Sequence, residues 1–299
     1  MIDDYSTDDA HGDRWSLLLG DSCERLGELP DASVDLSVHS PPFDSLYTYS
    51  PSIRDLGNSS SREEFLDHYG YIIRELYRLT KPGRLACVHA MDLSTTKASH
   101  SVIGLTDFSG QIVDAYQQAG WTYVARITIR KNPQYAAQRT KAHGLMFVTL
   151  QRDSAMSRPV HPDYLLLFRK PGTNAVSISS DVDNETWISW AEAIWDDIKE
   201  TDTLNVRVAR EDADERHLCP LALPLIERCI RLWSNPGETV LSPFAGVGSE
   251  VYQAVQLGRH GIGVELKPSY WQTAVRNLRN LDDQMATPTL LDAIEEATG

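Results

Sequence analysis

The chain has no run of 18 apolar residues, so no stretch reads as a membrane-crossing helix. Its opening, MIDDYSTDDAHGD, lacks the apolar core of a signal peptide, and a soluble, cytoplasmic protein is expected. Only four cysteines occur, Cys23, Cys87, Cys219 and Cys229, and no two form a C-x-x-C pair. Reduced, partly buried thiols are therefore expected rather than a disulfide frame. The nine histidines show neither H-E-x-x-H nor paired ligand spacing, so no metal is expected. No internal repeat or low-complexity tract is present, which excludes repeat architectures. Basic residues are the minority, 28 Lys and Arg against 42 Asp and Glu. A net charge of -14 argues at first against a nucleic-acid partner, whose phosphates attract cations.

The placement of charge says otherwise. From Arg126 to Lys170 nine basic residues stand against two acids, Asp153 and Asp163; subtracting these from the totals of 28 and 42 leaves 19 basic and 40 acidic residues elsewhere. Charge so segregated makes either a local positive surface on an acidic body or a set of solvated faces. With 299 residues, 41% of them hydrophobic, the chain can bury a full core as one enlarged α/β domain or as a domain with a small lobe.

What is present is concentrated at two places. Val240 and Leu241 end a short strand, and Ser242-Pro243-Phe244-Ala245-Gly246-Val247-Gly248-Ser249 follows as a turn of small residues. Such a turn lets backbone amides approach a ligand at a helix N-terminus. Glu250 to Leu257 reads as that helix, and Gly261 to Glu265 as the next buried strand. Glu265 lies about 20 residues beyond Gly246, the interval at which an acid closing the second strand meets ribose hydroxyls. The second place is Ser40-Pro41-Pro42-Phe43, which closes the strand Val34 to His39. Its prolines cannot continue a ladder, and they present a side-chain oxygen, a carbonyl and a ring together at the sheet's carboxyl edge.

Together SPPF at 40–43 and SPFAGVGS at 242–249 resemble the amino-group DNA methyltransferases that use S-adenosyl-L-methionine, in the permuted order called the β class. There the (D/N/S)PP(Y/F/W) motif comes first and a DPFxGxG cofactor loop lies near the C-terminus. The resemblance extends to Gly20-Asp21, to a helix beginning near His217 and to Tyr270, and covers most of 15–282. Ser242 departs from the family's usual aspartate. The implied fold is α/β and Rossmann-like, a mostly parallel doubly wound sheet with circularly permuted motif order and an inserted DNA-contacting segment.

In chain order, 1–14 reads as a disordered acidic tail and 15–282 as the methyltransferase domain. Its catalytic half is 15–172, with a basic insertion at 130–160; an acidic connection spans 173–215, and the cofactor-binding half spans 216–282. Residues 283–299 read as a C-terminal tail. Asp21, after the strand Trp15 to Leu19, is either a helix cap or, by resemblance, the acid that reaches the adenine end of the cofactor. Residues 44–61 suit a loop over the site, with Tyr47 and Tyr49 for base stacking or loop packing. Arg62 to Leu79 carries Phe65, Tyr69, Ile72, Ile73, Leu76 and Leu79 on one helical face. Strands are expected at 84–89, 121–129 and 164–168, and a helix at 111–119. Trp187, Trp190 and Trp195, at near-helical spacing, read as core.

By resemblance, Ser40 Oγ and the Pro41 carbonyl accept hydrogen bonds from the target amine, Pro42 fixes the turn, and Phe43 stacks on a base turned out of the duplex. The cofactor lies against Asp21, Ser242, Phe244, Ala245, Gly246, Gly248, Ser249 and Glu265. Arg139, Lys141, Arg152 and Arg158 are the candidate contacts to double-stranded DNA. Serine at position 40 favours cytosine N4 as the target. Adenine N6 is the alternative, as is an inactive DNA-binding relative for which Ser40 and Ser242 argue. RNA bases or protein glutamine amides as substrates, and a nicotinamide dehydrogenase on a similar sheet, are further alternatives; the dehydrogenase leaves SPPF unexplained. A homodimer is compatible with the sequence, and the sequence leaves open whether the enzyme works alone or beside a restriction nuclease.

Overall fold

A computed structural model describes residues 5–42, 54–56, 59, 61–95, 104–140, 143–204 and 220–287. Strands β1 (Asp8–His11) and β2 (Trp15–Leu19) lead through helix α1 (Ser22–Arg25) to β3 (Val34–His39), and α2 (Arg62–Leu79) returns to β4 (Thr80–Met91). A two-stranded antiparallel pair, β5 (Leu93–Thr95) and β6 (Gly104–Thr106), precedes α3 (Phe108–Gln118) and β7 (Thr122–Ile129). Two short helices, α4 (Pro133–Thr140) and α5 (Phe147–Arg152), separate β7 from β8 (Asp163–Arg169). Then come α6 (Asn184–Trp190), β9 (Ile194–Trp195), α7 (Leu223–Trp233), β10 (Thr239–Ser242), α8 (Ser249–Gln256), β11 (His260–Glu265) and α9 (Pro268–Ala286).

The main sheet runs β1-β2-β11-β10-β3-β4-β8-β7-β9. Pairing is parallel from β2 through β4 and between β7 and β9, and antiparallel at β1–β2, β4–β8 and β7–β8. The expected mostly parallel α/β architecture is therefore the one observed. Helices cover both faces: Phe65, Ile72 and Leu76 of α2 pack with Ile112 and Tyr116 of α3 in one core, and Leu225, Ile226 and Cys229 of α7 lie in another. Helix α2 spans the expected residues because Ser61 caps it, its side chain accepting from the Glu64 amide, and because the six apolar side chains of the expected face are all buried.

Several elements depart from the sequence reading. The expected tail contains a strand: β1 pairs antiparallel with β2, burying Ala10, and Asp9 takes an ion pair from the nearly buried Arg25. Only tertiary pairing reveals it, since DDAH alone carries no strand signal. Lys81-Pro82-Gly83 does not separate α2 from the next strand. β4 starts at Thr80 and carries those residues through an irregularity in its pairing with β3, where Gly83 holds φ 78°. Helix α9 continues beyond 282 to Ala286. The three tryptophans do not form one core face: Trp195 is buried, Trp187 is exposed, and Trp190 lies against the guanidinium groups of Arg228 and Arg231.

A buried ionic cluster ties β3, β4 and β10 together. The Arg84 guanidinium bonds both carboxylate oxygens of Glu238 and lies 3.6 Å from Asp35, which also takes Lys81 at 2.7 Å and the Thr239 amide at 3.0 Å. Arg84 and Asp35 are both almost fully buried. Removing one partner from such a cluster leaves a buried charge uncompensated. Arg84→Met should therefore lower unfolding free energy by about 3–5 kcal/mol, read as a fall in the urea midpoint at unchanged slope.

Candidate active site

Parallel strands of an open sheet send their following loops to one edge, and a ligand crevice forms where neighbouring loops part. β10 lies between β3 and β11, with Val240 opposite Leu36 and Leu241 opposite Ser37. The serine-proline turn that follows β3 and the glycine turn that follows β10 therefore emerge side by side. Between them is a crevice of about 920 Å³ of empty space, solvent at its mouth included. Ser40, Pro41 and Pro42 line it on the β3 side, and Phe244, Ala245, Gly246 and Ser249 on the β10 side, with Glu265 beyond them at the end of β11. Phe43 and Lys141 lie outside the described residues, as do Tyr47, Tyr49, Cys219 and the side chain of Arg139.

The glycine turn is shaped by close approach. Gly246 and Gly248 hold φ 53° and 88°, a region open to glycine, and Gly248 starts α8. At Gly263 of β11 a Cβ would sit 2.8 Å from Ala245, Leu17 and Val251, so the absence of a side chain lets the turn lie flat on the strand. The Ala245 amide donates to the Val264 carbonyl at 2.8 Å and anchors it there. Glu265 receives the Gly246 amide on one carboxylate oxygen and the Lys267 amide on the other, each at 2.8 Å. Burial, opposed by those two bonds, pushes its carboxyl up to about 7. Glu250, buried in the first turn of α8 and lining the same crevice, is pushed by burial to about 8.

Ser242 and Ser249 are almost fully buried, and neither hydroxyl has a hydrogen-bond partner among the described residues. Ser242 and Gly248 do not line the crevice themselves; they support the turn that does. Asp21 also lies off the lining. Its carboxylate caps α1, accepting from the Cys23 amide at 2.9 Å, and pairs with Arg54 at 3.3 Å. Its neighbour Ser22 faces the crevice and donates to the Pro243 carbonyl at 2.5 Å.

Ser40 belongs to a chain of polar groups. Its Oγ lies 3.3 Å from His89 Nδ1 and 3.2 Å from the His89 carbonyl, and His89 Nε2 lies 3.0 Å from Asp163 Oδ2. Lys131 reaches the same Asp163 oxygen at 2.7 Å and Glu200 at 2.9 Å. Burial alone would raise the Asp163 carboxyl; the hydrogen bond from His89 and the Lys131 ammonium overcome it and bring it down to about 2. The sequence reading missed this chain. His89 follows the buried run Ala86 to Val88 near the carboxyl end of β4, beside the place where Ser40 follows β3, and a polar residue in that position is the signal that finds it.

The basic insertion is less uniformly basic in space. Lys131 is spent on Asp163 and Glu200, Arg126 stacks on Tyr164, and Arg130 pairs with Asp196. Arg158 is partly buried and bonds the Pro159 carbonyl and the Ser94 hydroxyl, whereas Arg152 is exposed on α5. Beside Arg152, Phe147 and Val148 are 68% and 58% exposed, so the segment also presents an apolar face. Among the described residues no group of three or more His, Cys, Asp or Glu could hold a metal, and no helix is long and apolar enough to cross a membrane.

The chain is similar to several named methyltransferases. The type II methyltransferase M.MjaI of Methanocaldococcus jannaschii is 24% identical over 285 residues, covering 85% of this chain and 87% of that protein. The DNA adenine methyltransferase YhdJ of Escherichia coli is also 24% identical, covering 88% of this chain and 82% of that one. TTHA0409 of Thermus thermophilus, assigned as a putative DNA modification methylase and solved with S-adenosyl-L-methionine, superposes with a TM-score of 0.65 at 26% identity, over 88% of this chain and 94% of that one. The family model described as DNA methylase matches residues 34–276, and on that match the chain belongs to the N6/N4 DNA methylase family.

Proposed function

We propose that this protein transfers a methyl group from S-adenosyl-L-methionine to the exocyclic amine of a base in double-stranded DNA, with cytosine N4 as the target. The observation that carries the reading is the single crevice in which Ser40 and Pro41 stand opposite the glycine turn and Glu265. The crevice fits this cofactor on its own terms. Two carboxyls, the buried Glu250 and the half-buried Glu265, suit a ligand carrying positive charge, and Ser249, whose hydroxyl has no partner among the described residues, lines the crevice. Phe244, Ala245, Gly246 and Ser249 would hold it, Glu265 would accept from its ribose hydroxyls, and Ser242, Gly248 and Asp21 would shape the turn and helix around it. When bound, the cofactor supplies an activated methyl on a sulfonium.

The remaining work falls to the chain. An amino group on a base is a poor nucleophile because its lone pair is delocalised into the ring. Acceptors on its hydrogens, Ser40 Oγ and the Pro41 carbonyl, favour a pyramidal nitrogen whose lone pair is free to attack. Holding that nitrogen in line supplies the rest. Pro42 stiffens the turn, and Phe43 is the proposed platform for the unstacked base. Ser40 is the basis for cytosine N4. Adenine N6 stands second, favoured by the likeness to YhdJ. The working compartment is the one that holds the DNA, the cytoplasm. Arg139, Lys141, Arg152 and Arg158 are proposed to face its phosphates, and the apolar face of α5 supports pairing of two copies.

Ser40→Ala should leave cofactor affinity within about twofold and cut methyl transfer by roughly a hundredfold or more, the scale for losing a group that acts in the transition state. The assay is labelled cofactor with mixed-sequence duplex DNA, followed by mass analysis of released nucleosides. N4-methylcytosine is expected; N6-methyladenine would move the target to adenine, and no methylated nucleoside from the wild type would overturn the function.

Glu250 and Glu265 have folded-state values raised above the ordinary carboxylate range by burial, so what they contribute to stability is complete below about 4.5 and is lost as pH rises through about 7 to 8. The ligand-free protein should accordingly melt at a higher temperature at pH 6 than at pH 8.5. Cofactor binding should release protons near pH 7, seen by calorimetry in buffers of different ionisation enthalpy, and Glu265→Gln should reduce that release; a buffer-independent heat in the wild type refutes the assignment.

Arg152→Glu should flatten the salt dependence of DNA binding, a slope of about 0.9 being lost per phosphate contact. Phe147→Glu with Val148→Glu should shift sedimentation to a monomer. An unchanged slope moves the DNA surface elsewhere, and unchanged sedimentation excludes this dimer face.

A further inference from the structure

Resting on the methyl-transfer reading, we propose that His89 is a positioning residue for Ser40 and, through it, the proton acceptor of the reaction, in a relay that runs from Ser40 to His89 to Asp163. A serine hydroxyl holds one proton and two lone pairs, and it accepts from an amine only if its own proton is directed away from the crevice. Strand β4 supplies both places for that proton, the His89 carbonyl at 3.2 Å and His89 Nδ1 at 3.3 Å. Asp163 decides which nitrogen is bare. Its oxygen lies 3.0 Å from Nε2, so Nε2 carries the hydrogen and Nδ1 is left as an acceptor. Lys131 at 2.7 Å keeps Asp163 ionised and is itself braced by Glu200.

The relay accounts for the proton that the product must lose. As the N–C bond forms and the cofactor's C–S bond breaks, one amine proton passes to Ser40 Oγ and the serine's own proton passes to His89 Nδ1. The imidazolium so formed lies against the Asp163 carboxylate and returns its proton to solvent, to which His89 is 13% exposed. If His89 is already protonated, Nδ1 donates to Ser40 instead of accepting, and the hydroxyl proton turns toward the amine. Turnover should therefore have an acidic limb set by this histidine. Among the groups around it are Ser40 after β3 and Asp163 on β8, with Lys131 after β7 bonded to Asp163 and Glu200 after β9 bonded to Lys131. Of the remaining ionisable groups near this edge, His161 interacts with Arg158 and Asp92. His39 is turned into the core, bonded to Tyr69 at 3.0 Å.

The test uses the full chain with duplex DNA at saturating cofactor, so that protonation of Glu265 does not enter. His89→Leu should lower kcat roughly a hundredfold, the scale of acid–base assistance, with cofactor affinity and the KM for DNA within about twofold. His89→Asn keeps an acceptor near the position of Nδ1 but cannot hold the proton. It should recover part of the rate and lose the acidic limb of kcat that the wild type shows. A folded His89→Leu protein with wild-type kcat and pH profile overturns the relay, as does a His89→Asn protein that keeps the acidic limb. If His89→Leu fails to fold, His89→Asn decides alone. Wild-type protein that methylates nothing would sink the methyl-transfer reading itself, a result distinct from either of these.

Discussion

Four backbone residues, Leu36 and Ser37 facing Val240 and Leu241, hold the site together. They join a strand from the front of the chain to one near its back, in parallel, so that both following turns leave the sheet at the same edge. The irregular segments between the two strands can vary widely without disturbing this, because the register of two parallel strands is held by the ladder and the buried side chains beneath it. The Asp35, Arg84 and Glu238 cluster sits toward the opposite end of the same strands and locks them from below. The crevice above and the ionic cluster below are two consequences of one pairing.

The electrostatics of the crevice follow from its depth. Carboxyls at Glu250 and Glu265 are held where the charged form is costly, whereas the buried Asp163 is kept ionised by the His89 hydrogen bond and Lys131. One edge of one sheet thus carries acids of opposite tendency a few strands apart. Those beside the glycine turn suit a cationic ligand. The one behind Ser40 suits the passage of a proton.

Much of the fold was legible because burial imposes a period. Arg62 to Leu79 reads as a helix from six apolar side chains at three- and four-residue steps, and every one of them is buried. Gly246 and Gly248 are legible for a different reason, a tight turn that holds φ 53° and 88°, and at Gly263 no side chain fits where that turn lies on β11. What escaped the sequence depends on partners remote in the chain. Asp8 to His11 is a strand only because β2 offers it an edge. Lys131 looks like one more member of a basic surface until β8 brings Asp163 beneath it. Trp187 and Trp195 have the same chemistry and nearly helical spacing, yet one is exposed and the other buried, because α6 ends before β9 begins.

By itself, then, the sequence determined the alternation of strands and helices, the two turns and the order in which they come. Those are local properties, written in the periodicity of apolar residues and in the limits that proline and glycine place on the backbone. The tertiary structure alone decided that the two turns share a crevice, that Asp21 caps a helix beside it and not within it, and that Ser40 has a histidine and a buried carboxylate behind it. Each of these depends on which strand lies next to which, a choice made by packing across the sheet that no short stretch of residues records.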